Sequence, residues 1–418
     1  MNGVLPVHRE AVVAPSPIIT PDFRPRLRPR LAAARSPDPA ALVLYDPNRL
    51  SPSVVTFPQH QLTWAERFTG ASTLYEIQAA LGLSSSTELI SFVTTLDDAL
   101  LLDSPAFRSY LNGPVRRPAC IGCYPEEPAA IREMMRGLFT APGGPGLPRD
   151  PAAVPPAPGK LRAALVPHMD YARGGVTYGW GFQELIEQTD ASLFVIVATS
   201  HYSPKRFTLT RMNFATPLGT VETDQAYIDR LVAAYGTGLF DDPVAHLPEH
   251  SIELEVVLLQ YLLENRRPFR IVPLLVGSFH DCVDRGTSPE AAADIARMVA
   301  ALQAAEAGAG ESVCYLISGD LAHIGPKFRD PNPVDGPQLT ASRNGDETLL
   351  KHLTAADPQG YFAAIAAEGD ARRICGLPPT WLTLQALRPR AGRVLHYNQY
   401  VHPAGHESVS YAAAAFYE

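Results

Sequence analysis

The chain has 418 residues, 46% of them hydrophobic and 19% charged, with a formal net charge of −8. This is the composition of a soluble globular protein, long enough at roughly 150 residues per domain for two or three units. The acidic balance speaks against a nucleic-acid-binding surface, and no apolar run reaches the roughly 18 residues of a membrane span.

Residues 1–40 contain no uninterrupted apolar core of the signal-peptide kind. They are rich in Pro, Arg and Ala and read as a flexible lead-in. In "ALVLYDPNRLSPSVVTFPQHQLTWAERFTG" the pattern is a strand, a turn at "DPN", a second strand near Val54–Phe57 and then a helix. Leu74, Ile77 and Leu81 are spaced three and four apart, one face of a helix, with Ser72 or Thr73 as its N-cap. Leu89, Phe92, Val93, Leu96 and Leu100 repeat that spacing in a second helix. Residues 41–110 therefore read as a small α+β, winged-helix-like domain. "TGASTLYEI" and "LDDALLLDS" resemble the PqqD-like peptide-binding domains, which implies a peptide or protein partner for this module. A small helical packing or oligomerisation domain is the other reading.

The five cysteines are scattered and odd in number. That argues against a disulfide framework and for a reducing, cytoplasmic setting. Cys120 and Cys123 form a CxxC, either a redox pair or half of a zinc site, but no second pair stands at zinc-finger spacing. The Pro/Gly-dense segment 140–160 can be neither a helix nor a central strand, so it is a linker or a long surface loop.

From residue 161 the chain alternates strands and helices. "LRAALVP", "SLFVIVA", "FRIVPLLVG" and "VCYLIS" are continuous and β-branched, as strands buried on both faces are. Alternation with helices such as "EHSIELEVVLLQYLLEN" predicts an α/β fold, a largely parallel central sheet flanked by helices. Three of the four runs end in ionisable residues: His168 and Asp170 after the first, His201 after the second, Asp320 and His323 after the last. Ligand crevices of open α/β sheets lie beyond the carboxyl ends of the strands, so these five side chains are expected to converge.

Imidazole and carboxylate together suit a divalent transition metal. Two histidines and a carboxylate form the facial triad of non-haem Fe(II) sites, whereas zinc on the same ligands would activate water. His168 and Asp170, two apart in extended chain, point the same way, which makes His168, His201 and Asp170 the expected metal ligands. His250, Asp320 and His323 are the candidates for proton transfer. In "EHSIELE" Glu249 and Glu253 share a helix face, and a plain capping turn explains the segment equally well. The glycines of "ARGGVTYGWGF" either admit a ligand close to the backbone or pack a strand-to-helix turn.

Several blocks, in order, are "PACIGCYPEEPAAIREMMRGLF", "VPHMDYARGGVTYGWGF", "VIVATSHYSP", "FATPLGTVETDQAYIDRL", "EHSIELEVVLLQYL", "IVPLLVG", "SGDLAHIG" and "HYNQYVHPAGHESVSYAAAAFY". From about residue 117 to 418 they resemble the MEMO family, called AmmeMemoRadiSam system protein B in prokaryotes. The resemblance implies a fold similar to class III extradiol dioxygenases. It puts His168 and His201 on the family's metal-site histidines, His250 on its "EHSIE" histidine, and Asp320 and His323 on its "SDxxH" pair. Asp170 departs from the commoner "PHAG", adding a carboxylate. Ala322 stands where some members carry a cysteine ligand, which disfavours copper held through sulfur. Cys375, in "RRICGLPP", matches a family block as a structural or cleft-lining residue, and Tyr171, Tyr202 and Arg173 either line the pocket or merely pack.

The expected protein is thus an iron-dependent, dioxygenase-like oxidoreductase acting on a small-molecule or peptide substrate. A non-catalytic metal-binding or scaffold protein and a zinc-dependent hydrolase are the alternatives. Fold likeness alone does not establish oxygenase activity.

Overall fold

In the computed structural model, which describes residues 19–51, 53–120 and 122–418, the chain divides into two units, Met1–Gly113 and Pro114–Glu418. The first holds a three-stranded antiparallel sheet of β1 (Ala32–Arg35), β2 (Ala41–Tyr45) and β3 (Val55–Pro58), in that order. Helices α1 (Leu74–Leu81), α2 (Thr87–Asp98) and α3 (Pro105–Leu111) follow. Thr73 and Glu76 close a capping box at the start of α1, and Gly82, left-handed at φ 66°, ends it. Leu74, Ile77, Leu89, Phe92, Val93 and Leu96 are buried with Phe57 and Trp64.

The lead-in read as flexible departs from that expectation from Ile19 onward; residues 1–18 lie outside the described residues. Ile19 joins the core, Arg26 and Leu27 bridge to Thr69 and Leu102, and β1 pairs with β2. Its arginines misled the composition argument. Arg28 is buried, pairs with Asp46 at 2.5 Å, donates to the carbonyl of Leu100 and lies 4.0 Å over the Phe107 ring.

The second unit is built on an 11-stranded mixed sheet. Its helices and strands include α4 (Pro128–Thr140), β4 (Leu161–Val166), α5 (Val176–Gln188), β5 (Leu193–Thr199), α6 (His250–Leu263), β6 (Arg270–Val276), β7 (Val313–Ser318), α7 (Leu377–Leu387), β8 (Ala391–Val401) and β9 (Ser408–Tyr417). The four strands read from the sequence form a parallel centre ordered β4-β7-β5-β6. Alternate residues of these strands face opposite ways. Leu165, Val195, Val197 and Ile317 enter one core and Val166, Ile196, Ala198 and Leu316 the other, which is why the runs are apolar throughout.

The sheet is mixed rather than largely parallel because the C-terminal block folds as an antiparallel hairpin, β8–β9, laid on β4. Alanines of β9 let α5 approach closely. A Cβ on Gly181 would meet Val166 Cγ1 at 2.5 Å and Ala413 Cβ at 3.4 Å, and one on Gly179 would meet the carbonyl of Leu138 at 2.4 Å. These two glycines therefore let α5 lie close against α4, β4 and β9. The 140–160 segment is an ordered loop on α5, held by Trp180 Nε1 to the Gly143 carbonyl, by Gln183 to the carbonyls of Pro145 and Gly146, and by Arg149 to Glu187. No described helix is long and apolar enough to cross a membrane.

Candidate metal centre

Register brings the site together. Val166 of β4 pairs with Ser318 of β7, and Ser318 pairs with Ala198 of β5. His168, Asp320 and His201 each follow their own strand by two residues, so three neighbouring strands, about 4.8 Å apart, deliver them to one edge. The first turn of α6 is tied to the same edge. Ser251 Oγ donates to the Thr199 carbonyl at 2.8 Å, and Ser318 Oγ donates to the Ser251 carbonyl at 2.6 Å. His250 therefore joins the group.

The rings of His168 and His201 have centroids 5.0 Å apart, those of His168 and His250 5.6 Å, and those of His201 and His250 4.7 Å. Each offers a nitrogen within 4.8 Å of the others. That is about the span across one ion with bonds of roughly 2.0–2.3 Å. His168 is buried and its Nδ1 finds no partner. His201 and His250 are partly open, at 31% and 26% side-chain exposure, so the cluster has a closed floor and a solvent side. Burial, and then the charges of His201 and His250, hold the His168 pKa well below the usual range, leaving it a neutral donor.

Glu249 orients the second imidazole. Its carboxylate accepts from His201 N at 2.7 Å, meets His201 Nδ1 at 2.9 Å and caps α6 through the amides of His250 and Ser251. Burial alone would raise the Glu249 pKa, but the charge and hydrogen bonds of His201 lower it. Burial would lower the His201 pKa, and Glu249 reverses that. An Nδ1–H facing a carboxylate leaves Nε2 for a cation, the usual support of a metal-bound histidine.

A second set shares His168. Asp320 and Cys375 offer donors within 4.8 Å of it and of each other. Cys375 Sγ lies 3.3 Å and Asp320 Oδ2 3.7 Å from His168 Nε2. Asp320 also accepts from His168 N at 3.1 Å, and burial pushes its pKa up to about 7. Cys375 arrives by a tight backbone crossing: a Cβ on Gly376 would meet the Asp320 carbonyl at 2.6 Å, and one on Gly319 would meet Gly376 Cα at 2.6 Å.

Asp170 stands in neither donor set; it caps the turn Tyr171–Gly174 and binds Arg173 Nε at 2.5 Å. The strand ends at Val166, so the extended geometry that would have aligned Asp170 with His168 is lost in the turn to the next helix. His323 also stands outside both sets. Its Nδ1 is 3.0 Å from the carbonyls of Leu321 and Arg373, and burial lowers its pKa to about 4. Tyr171 and Tyr178 spend their hydroxyls on the carbonyls of Leu254 and Met169.

Sequence reasoning did not identify Glu249 as the partner of His201 or the buried Arg116–Glu253 ion pair beneath α6, and of the two readings of Cys375, structural or cleft-lining, it is the second that places it beside His168. Glu249 did leave a local signal, a Glu directly before a helix-starting His.

Residues 116–415 match the family model described as "Memo-like protein". This chain belongs to the Memo-like family. A MEMO1 family protein of Methanothermobacter thermautotrophicus is 30% identical over 281 residues, 66% of this chain and 88% of that protein. One of Methanopyrus kandleri is 27% identical over 309 residues, 72% and 98%, and one of Aquifex aeolicus 26% over 262 residues, 62% and 64%. The Memo-like match falls within the second unit. Ala322 offers no sulfur here, while Cys375, in the loop before α7, places a thiol 3.3 Å from His168 Nε2.

Proposed function

We propose that this Memo-like chain is a cytoplasmic, metal-dependent oxidoreductase of the dioxygenase-like type, using ferrous iron on a small-molecule or peptide-linked substrate. Imidazoles from three separate elements within 4.8 Å of one another carry this reading. In it His168, His201 and His250 hold the ion, with Asp320 beside them. The nearby carboxylate favours iron, whose oxygenase sites combine imidazole with carboxylate. When bound, the ion supplies Lewis acidity and one-electron chemistry. His323 keeps Nδ1 on two carbonyls and offers Nε2 to a proton. Asp320, with its pKa near 7, exchanges a proton close to neutrality.

Full-length chain purified without oxygen should contain iron and take up oxygen with substrate. The His168→Ala/His201→Ala double variant should lose the metal with its circular dichroism unchanged. Unchanged metal content in that variant removes the reading. The three-imidazole set also suits zinc with an open fourth position, so zinc-assisted hydrolysis is the second reading. Zinc in the purified chain and turnover without oxygen would select it.

The first unit would present the substrate peptide. Among the described residues β3 pairs only with β2. Beside β3 lies a groove of about 360 Å³ lined by Val55, Phe57, Pro58, Ser91, Phe92 and Thr95, which fits an added extended strand. A random-peptide phage library selected on the full chain should yield binders lost with Ser91→Arg. Binders indifferent to that substitution would end this assignment.

A further inference from the structure

The Cys120–Cys123 pair is joined as a disulfide, while Cys282, Cys314 and Cys375 are free thiols. The bridge stands apart from both donor sets around His168. It is asymmetric. Cys120 is buried in the second core, and Cys123 packs against that core but is half-exposed. A four-residue loop is among the shortest a disulfide can close, where the chain-entropy gain from the bond is smallest. The fold therefore depends little on it, and opening it is compatible with a folded chain.

The segment around the bridge is clamped on one buried carboxylate. Glu253 accepts from Ala119 N at 2.8 Å and Cys120 N at 3.0 Å, and from Tyr124 Oη and Arg116 Nη1. Arg116 in turn donates from Nη2 to the Glu249 carbonyl at 2.5 Å and from Nε to the His246 carbonyl at 2.8 Å. The carboxylate of Glu249 holds His201. A continuous set of buried polar contacts thus runs from the amide of Cys120 to the first turn of α6.

We propose that Cys120–Cys123 is a thiol–disulfide exchange site, reduced by a dithiol, whose state is transmitted through Glu253 and Arg116 to the start of α6. A thiolate of the dithiol attacks the half-exposed Cys123 Sγ. The S–S bond breaks, and Cys120 leaves as a thiolate and takes up a proton. The second thiol of the reductant then displaces Cys123, which is also protonated. Two electrons and two protons pass to the chain, and the reductant ends as its own disulfide. Opening the bridge frees the turn that presents the amides of residues 119 and 120 to Glu253. The pair occupies a chain that otherwise keeps its thiols free, which fits the transient, redox-sensing disulfides of reducing compartments.

The test uses the full chain and no metal, so it is independent of the reading above. Free thiols are first capped with N-ethylmaleimide, and the chain is then treated with dithiothreitol under native conditions and labelled with iodoacetamide. The label is expected on Cys120 and Cys123 alone. In uncapped chain, reduction should speed hydrogen exchange in 116–124 and 246–255 by about fivefold, and oxidised dithiothreitol should restore the slow pattern. The Cys120→Ser/Cys123→Ser variant should show the fast pattern with or without reductant. Absence of label on the folded chain, or label with unchanged exchange in the wild-type chain, overturns the proposal whether or not the variant folds.

Discussion

Glu249 caps α6, binds the backbone of His201 and holds the Nδ1 edge of its ring, so one imidazole is aimed by a carboxylate that solvent never reaches. Glu249→Gln keeps an acceptor at the cap and removes the charge. Metal affinity, read by competition with a chelating dye, should fall about 10–100-fold, the usual cost of losing an outer partner; unchanged affinity would mean that His201 is positioned by something else. A second residue stores acid sensitivity. His246 is buried, and burial lowers its pKa from 6.5 to about 3. Because the folded value lies below the unfolded one, the unfolded chain binds the proton first, and stability is lost as pH falls from about 6.5. Asp320, raised to about 7, pulls the other way, being stabilised by its proton as pH falls, and His168, His323 and Glu249, all lowered, add to the loss, so the bare wild-type profile mixes them all. Comparison with His246→Gln isolates the histidine. Between pH 6 and 4 the wild-type chain should lose about 1.4 kcal/mol per pH unit more than the variant in urea unfolding, and equal slopes would refute the assignment.

At the scale of elements, the crossing of Gly319 and Gly376 decides whether Cys375 reaches His168. Gly376→Ala forces a methyl to within 2.6 Å of the Asp320 carbonyl, a backbone atom that cannot swing aside. It should cost about 1–3 kcal/mol in urea unfolding and move the thiol. Gly336→Ala, at a position facing open space, should cost nothing measurable. The four central strands were legible because double-sided burial writes itself as unbroken β-branched runs, and α1 because Leu74, Ile77 and Leu81 repeat at helical spacing behind a Ser72 or Thr73 cap. The hairpin was not legible. "SYAAAAFY" favours helix by propensity, and only pairing with β4 and β8 makes it a strand. Whether a residue two beyond a histidine shares its face depends on where the strand stops, and β4 stops at Val166, before both His168 and Asp170.

For the whole molecule, convergence at one sheet edge was readable, since His168, His201 and Asp320 each follow a recognisable strand. What the sequence did not carry was adjacency between distant segments: Cys375 beside His168, and Arg116 under α6 against Glu253, 137 residues away. Such pairs arise from strand order, and strand order is set by global packing. The same order has a temporal side. β4 opens the parallel centre, yet one of its two flanks is completed only by β9, and the short strand His323–Ile324 likewise leans on β9. As the polypeptide leaves the ribosome, the edge of β4 that β9 will cover must therefore wait, half-zipped, for some 240 further residues to be made, a long interval in which a chaperone has reason to hold it.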